Sequence, residues 1–312
     1  MENLIISFNA VMPMFLIIVL GFVIKWKNMI SLQTQSQLNN LAFRVFIPMM
    51  LVNSLYRTDF RHIFQPRLFA FLVLSIIITW ILVSALVVKI EKSDFKRGAI
   101  IQGICRSNYI LFGLAILINL YGADNIGIPS LLTAIVLPLF NAFAVITLEI
   151  FRGSGVGVKD MVKEVARNPL IIGVAMGIAI SLLQIRLPLF LESAISSLAD
   201  MAMPLALVAM GASLSFEKTF KDKRNLSLVV IGKLVVIPAV FVPLAILVGF
   251  RNMELAALMV VFASPTSVSS YPMADQMNSD SELASAAIIL STLISCFTMF
   301  LWIFALKHLG FI

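Results

Sequence analysis

Charge is scarce in this sequence. Only 12% of its 312 residues are Asp, Glu, Lys or Arg, where an ordinary soluble domain carries roughly 25%. Hydrophobic residues make up 60% and the mean hydropathy is +1.02. No single core absorbs that many apolar side chains, so lipid must face a large share of them. Cysteine is nearly absent too: Cys105 and Cys296 both fall in apolar stretches, which leaves no disulfide framework and no zinc site. The two histidines, His62 and His308, sit at a loop and at the terminus. Gly211-Ala212-Ser213 therefore has no evident histidine to activate its serine, and no paired-aspartate motif for prenyl or phospholipid chemistry occurs. The expectation is a protein that is not an enzyme and holds no cofactor or metal. Glu2 is the only charge before the first apolar stretch. Without a basic n-region or a small-residue cleavage site, that stretch reads as a retained helix and not as a signal peptide.

What the chain has in abundance is long apolar runs. A membrane helix needs about 20 apolar residues, and ten candidate spans fit: 4–24, 36–55, 67–90, 97–120, 126–150, 168–185, 190–214, 226–250, 254–277 and 283–307. Too little chain lies between them for a soluble domain. The expected fold is an all-α integral membrane protein in the lipid bilayer. The net charge of +7 does not point to nucleic acid, because the basic residues lie in short loops. Lys25, Lys27, Lys89, Lys92, Lys96, Arg97, Arg152, Lys159, Lys163, Arg167, Lys218, Lys221, Lys223 and Arg224 share one side. Arg57, Arg61, Arg67, Arg186, Arg251 and Lys307 share the other. By the positive-inside rule the first set is cytoplasmic and both termini are outside.

The two halves echo each other. Pro13 and Pro169, Gly21 and Gly177, and Pro48 and Pro204 are each separated by 156 positions. A shift of 158 sets Ser107-Asn108 opposite Pro265-Thr266 and Asp124 opposite Glu282. Five spans per half is an odd number, so the second half would enter the membrane with opposite polarity, an inverted repeat. The predicted organisation is a first repeat over 1–150, a short cytoplasmic linker over 151–167 and a second repeat over 168–312.

Two spans at matching places are unsuited to being plain helices. The fourth carries Arg106-Ser107-Asn108 between Gly103 and Gly113. The ninth runs Ser264-Pro265-Thr266-Ser267-Val268-Ser269-Ser270-Tyr271-Pro272. Backbone groups freed inside a bilayer survive only where protein or a polar cavity satisfies them, and paired broken segments point to a transporter's binding site. Gly103, Gly113, Pro265 and Pro272 are the expected helix-breaking positions. Ser107, Asn108, Arg106, Pro265, Thr266 and Ser267 are the expected substrate-binding set. Each has a plainer reading: a packed kink for the ninth span, an interhelical amide bond for Asn108, and an ion pair or snorkelling side chain for Arg106. Asp200, Asp275 and Gln276 are candidates to hold a coupling proton or sodium ion, or are charges at helix ends. Lys233 is a snorkelling candidate, Glu149 an interfacial one, and Arg44 faces either an acid or the cavity. Half-helix N-termini at a crossing present free amides and partial positive charge, so an anionic substrate is expected.

Four stretches together resemble the auxin efflux carrier family. They are Arg106-Ser107-Asn108-Tyr109-Ile110-Leu111-Phe112-Gly113, Ala263-Ser264-Pro265-Thr266-Ser267-Val268 with Ala274-Asp275-Gln276, Phe43-Arg44-Val45-Phe46-Ile47-Pro48, and Met203-Pro204-Leu205-Ala206-Leu207 with Gly211-Ala212-Ser213-Leu214. The resemblance implies ten helices in a five-plus-five inverted repeat, with helices 4 and 9 broken and crossed near the membrane middle. It further implies a scaffold of helices 1, 2, 6 and 7 and a transport domain of helices 3–5 and 8–10 that moves as an elevator. Bacterial members carry malate, malonate and similar acids, plant members export indole-3-acetate, and sodium–bile acid symporters are distantly similar. The short central loop, near 151–167, sets this chain apart from the long plant carriers and favours a bacterial small-acid carrier. The expected location is the plasma or inner membrane. Distant relatives often pair through the scaffold, so a homodimer is a candidate assembly, with the oligomeric state left open. A channel or a receptor would be told apart by flux that fails to saturate or binding without movement.

Overall fold

The structure is a computed structural model that describes residues 2–56, 65–109, 113–121, 127–152, 163, 166–213 and 222–312. Arg57, Arg61, His62, Asp124, Lys159, Lys218 and Lys221, on which parts of the topology reading rest, lie outside them. The described residues are all helix and connecting turn. The chain begins with α1 (Glu2–Trp26). Then α2 (Leu32–Leu41) continues through a π turn, Ala42–Phe46, into α3 (Ile47–Tyr56). Next come α4 (Pro66–Ile90), α5 (Asp94–Cys105), α6 (Leu114–Tyr121) and α7 (Gly127–Ile150). The later part holds α8 (Pro169–Leu182), α9 (Leu189–Ser213) and α10 (Lys223–Ile231). A second π turn, Gly232–Val236, joins α10 to α11 (Ile237–Val248), followed by α12 (Asn252–Ala263), α13 (Ser270–Gln276) and α14 (Ser281–His308).

Local chemistry sets the helix ends. Ser31, Asn168, Asp222 and Asp280 each accept a hydrogen bond from a first-turn amide through the side chain, which satisfies a donor the helix leaves free. Pro66 and Pro169 open their helices, where no amide donor is needed. Gly249 closes α11 at φ 98, a left-handed conformation that costs glycine nothing.

Among the described residues, five helical segments are long and apolar enough to cross a membrane: Gln33–Tyr56, Pro66–Ile90, Leu189–Ala212, Lys223–Val248 and Ser281–His308. Their outward faces carry large apolar side chains such as Ile81, Leu82, Leu247 and Phe297, each more than 60% exposed. In water that surface would drive aggregation; in lipid it is the natural solvent-facing side. The protein is an all-α membrane protein.

Glycine governs the tightest packing. α1 lies against α9, and α3 against α8. A Cβ on Gly21 would stand 2.3 Å from the Val208 carbonyl oxygen, and one on Gly211 would stand 2.0 Å from that of Ile18. On the other pair, a Cβ on Gly173 would meet the Pro48 carbonyl oxygen at 2.9 Å, and one on Gly177 would meet Val52 Cα at 3.1 Å. Small residues let membrane helices approach this closely. At one end of the bundle Lys96 bridges to Asp222 at 2.6 Å, and Asn225 donates to Glu91 at 2.7 Å. These bonds tie the α4–α5 corner to the start of α10. The hydrogen bond from Lys96 to Asp222 raises the affinity of the Lys96 amine for its proton, against the opposing effect of partial burial.

Candidate functional site

The fourth and ninth spans are broken. α5 ends at Cys105 and α12 at Ala263, each after 12 helical residues, and their bounds differ by 158 positions at both ends. After Cys105 the backbone turns extended, with Arg106 at φ −83 and ψ 143; after Ala263 Ser264 does the same at φ −63 and ψ 151. The two breaks meet. The Asn108 amide donates to the Pro265 carbonyl at 2.8 Å. The Thr266 hydroxyl donates to the Gly103 carbonyl at 2.7 Å, and the Thr266 amide donates to Ser291 Oγ at 3.1 Å. Freed backbone groups of one broken helix are thus satisfied by the other and by α14, which makes a break tolerable in hydrocarbon.

The breaking positions differ from those read off the sequence. Gly103 lies inside α5, where its bare Cα admits Val229: an added Cβ would sit 2.6 Å from Val229 Cγ1. Pro272 lies within the first turn of α13, where proline removes no helical bond. Gly113 precedes α6 and packs against Val260. Of the four, only Pro265 is in a break itself. Arg106–Asn108 and Ser264–Ser269 are the non-helical stretches.

A small cavity of about 30 Å³ adjoins the meeting point. Arg106, Ser107, Asn108, Tyr109, Ser267 and Ser269 line it from the breaks, Val136, Leu137, Phe140 and Asn141 from α7, Ile47, Met50 and Leu51 from the α3 side, and Met203 from α9. Such a volume accommodates a water or two, not a carbon skeleton with a carboxylate. A polar end formed by Arg106, Asn108, Asn141 and the serines therefore faces an apolar wall formed by α3 and α9.

Arg106 is the dominant charge. It is 2% exposed, which excludes snorkelling. One terminal nitrogen donates to Ser269 Oγ at 2.7 Å and Asn141 Oδ1 at 3.1 Å. The other donates to Gln102 Oε1 at 3.0 Å and Met273 Sδ at 2.7 Å, with Ser270 Oγ at 3.5 Å. Every one of these partners is neutral. Among the described residues no carboxylate pairs with Arg106. Its Nε and the Ser107 hydroxyl are buried without a hydrogen-bond partner.

The structure brings Arg106, Ser107, Asn108 and Ser267 to the cavity, but not all the sequence candidates. Pro265 and Thr266 do not line it, and Thr266 is committed to Gly103 and Ser291. We expect Thr266→Val to leave the buried Gly103 carbonyl without this donor and to cost about 1–3 kcal/mol, read as a lower melting temperature that Thr266→Ser restores. Asp200 is exposed on α9. Asp275 is exposed, accepts from Asn39 Nδ2 at 2.6 Å and lies beside Gln276 Nε2 at 3.2 Å, so it tethers α13 to α2 instead of entering the cavity. Arg44 is exposed within the first π turn. Glu149 is buried and pairs with Arg152 at 3.3 Å. Lys233 is 1% exposed and does not snorkel.

Asn141 and Gln102 complete the guanidinium's surroundings and were not read from the sequence. Asn141 left one signal, as the single amide side chain in the apolar run 126–150.

The family comparison decides the broader class. The model of the family described as membrane transport protein matches residues 6–303. The chain belongs to this auxin efflux carrier family. It is similar along its length to two archaeal members. An uncharacterized transporter of Methanocaldococcus jannaschii is 22% identical over 95% of this chain and 98% of its own. One of Methanothermobacter thermautotrophicus is 20% identical over 95% and 97%. A Rhizobium meliloti protein named as a provisional malonate transporter is 30% identical over 44% of this chain and 43% of its own. This auxin efflux carrier family member is thus a membrane transporter, and the geometry of its crossed breaks bears on what it carries.

Proposed function

We propose that the protein carries small organic anions, mono- or dicarboxylates such as malonate, by alternating access, with the carboxylate held at the crossing of the fourth and ninth spans. The observation that carries this reading is Arg106: a guanidinium buried beside the cavity and bonded, among the described residues, to neutral groups alone, with Nε unpartnered there. A buried charge without a counter-ion is costly. An arriving carboxylate supplies the missing charge, and a guanidinium fork matches it well. Ser107 Oγ, also unpartnered, and Asn108 stand beside it as further donors.

The movement is proposed from the walls. α1, α2, α3, α8 and α9 form the scaffold, and α4 to α7 with α10 to α14 form the transport domain, related as two inverted repeats. The glycine contacts support the repeat. Gly21 meets Val208, and Gly177 meets Val52, so each residue of the first contact is answered 156 positions away in the second. The cavity lies between the proposed parts, with Met50, Leu51 and Met203 from the scaffold against Arg106 and Asn141. Its small volume supports a sealed state that opens when one part slides on the other, as an elevator would require.

The test is uptake of radiolabelled malonate, malate and monocarboxylates by proteoliposomes. Saturable uptake accelerated by unlabelled substrate on the far side is expected. Flux that rises without saturation would show a channel, and the absence of flux for every carboxylate would sink the proposal.

A further inference from the structure

A single charge stands at the crossing. Among the described residues lining the cavity, Arg106 is the sole charged side chain. The polar groups around it are largely spent on one another. Asn141 accepts from the guanidinium and donates through Nδ2 to the Leu137 carbonyl at 2.8 Å. Ser267 and Ser269 share a hydrogen bond at 3.0 Å, and Ser269 also accepts from Arg106. The Tyr109 hydroxyl donates to the Pro129 carbonyl at 3.1 Å. Two buried donors at the cavity stay unpartnered, Arg106 Nε and the Ser107 hydroxyl. Two donors suit the two oxygens of one carboxylate.

The rest of the lining is apolar. Ile47, Met50 and Leu51 stand on the α3 side, Met203 on α9, and Val136 and Phe140 on α7. The α9 face continues in the same character, with Ala202, Ala206, Leu207 and Met210 all buried. A slide of α9 past the site therefore exchanges one apolar side chain for another and brings up no cation. A ligand held by its carboxylate at Arg106 turns its far end toward hydrocarbon. The first carboxylate neutralises the guanidinium. A second would be a buried anion without a cation among the described lining residues, which is strongly disfavoured. A methylene in the same place is favoured, by about fourfold in affinity when fully buried.

We infer that the site selects a monocarboxylate with a short aliphatic tail over a dicarboxylate, and that the apolar wall of Met50 and Met203 enforces the choice. The inference rests on the carboxylate-carrier reading above and narrows it. Methionine is unbranched and flexible, so it adapts to tails of different shape. The wall thus discriminates by charge more strictly than by outline.

The test is isothermal titration of purified full-length protein at neutral pH with propionate, butyrate and pentanoate, and with malonate and succinate as dicarboxylates of matched length. The dissociation constant is expected to fall about fourfold per methylene from propionate to pentanoate. Succinate is expected to bind at least about tenfold more weakly than butyrate, and malonate than propionate, because each must bury an unpaired charge. Met50 is partly exposed, which makes it the place to add a cation. Met50→Lys is expected to shift the succinate-to-butyrate ratio by at least about tenfold toward succinate, since the ammonium supplies the missing partner. Dicarboxylates that bind wild type as tightly as their matched monocarboxylates would overturn the inference. So would an affinity that does not change with tail length, or a folded Met50→Lys protein with the wild-type ratio. Should Met50→Lys fail to fold, the wild-type series decides alone. Binding of dicarboxylates in preference would leave the carboxylate-carrier reading standing, whereas binding of no carboxylate at all would sink both.

Discussion

Arg106→Gln is expected to lower carboxylate uptake by at least about 100-fold while leaving the melting temperature unchanged or higher. Hydrogen bonds to charged groups contribute about 1.5–3 kcal/mol each, and every 1.4 kcal/mol is tenfold in affinity. Losing a two-pronged contact therefore removes two or more decades. Stability moves the other way for a separate reason. The guanidinium is 2% exposed and meets only Gln102, Asn141, Met273 and the serines. Removing a buried charge that meets no carboxylate among the described residues relieves its desolvation penalty. A structural arginine would give the opposite pattern, with stability and transport falling together. Arg106→Lys is expected to rescue little, because an ammonium lacks the planar fork. Uptake and thermal melts on the same preparations check both halves, and a marked loss of stability in Arg106→Gln would assign Arg106 to architecture.

Gly211→Val is expected to give the largest loss of stability of any single change in the α1–α9 contact. The new Cβ would be placed 2.0 Å from the Ile18 carbonyl oxygen and 2.9 Å from its carbon. Both are backbone atoms of a continuous helix, so neither can turn aside, and α1 and α9 must separate. Overpacking of this kind costs about 1–3 kcal/mol and sometimes more, a fall of roughly 2–12 °C in melting temperature. Gly232→Ala is the natural control. Its Cβ would touch only the Ile104 side chain, at 3.2–3.3 Å, and a small rotation there suffices. A Gly211→Val protein that melts with the wild type would mean that α1 and α9 are not in this close contact.

The broken spans were legible because membranes punish polar text. Arg106-Ser107-Asn108 and the run from Ser264 to Ser269 are conspicuous in a chain that is 60% hydrophobic, and both prove to be non-helical. The reasons for breaking were less legible. Proline and glycine drew attention to Gly103 and Pro272, yet Gly103 serves close packing against Val229 and Pro272 lies in the first turn of α13. Local sequence reports what a residue permits. It does not report whether the permission is used for a turn or for a neighbour's approach.

The partners of each polar group were less legible still. Thr266 and Asn141 were equally able to face a ligand by type. Packing sends the Thr266 hydroxyl to Gly103 and brings Asn141, from a different helix, to the Arg106 guanidinium. Lys233 looked able to stretch along lipid to the interface, but it lies in the second π turn and is 1% exposed.

Composition and spacing were enough to establish a membrane protein of long apolar helices, with two interrupted spans at matching places and a cation in the first of them. These follow from a solvent that rejects charge and leaves backbone groups no partner but protein. Tertiary structure alone decided that the two breaks bond to one another, that Arg106 meets no carboxylate among the described residues, and that Thr266 braces the crossing instead of lining the cavity. The physical reason is distance along the chain. Asn108 and Pro265, or Arg106 and Asn141, meet through helices whose packing depends on side chains far from either, and no local rule of propensity or spacing carries that information.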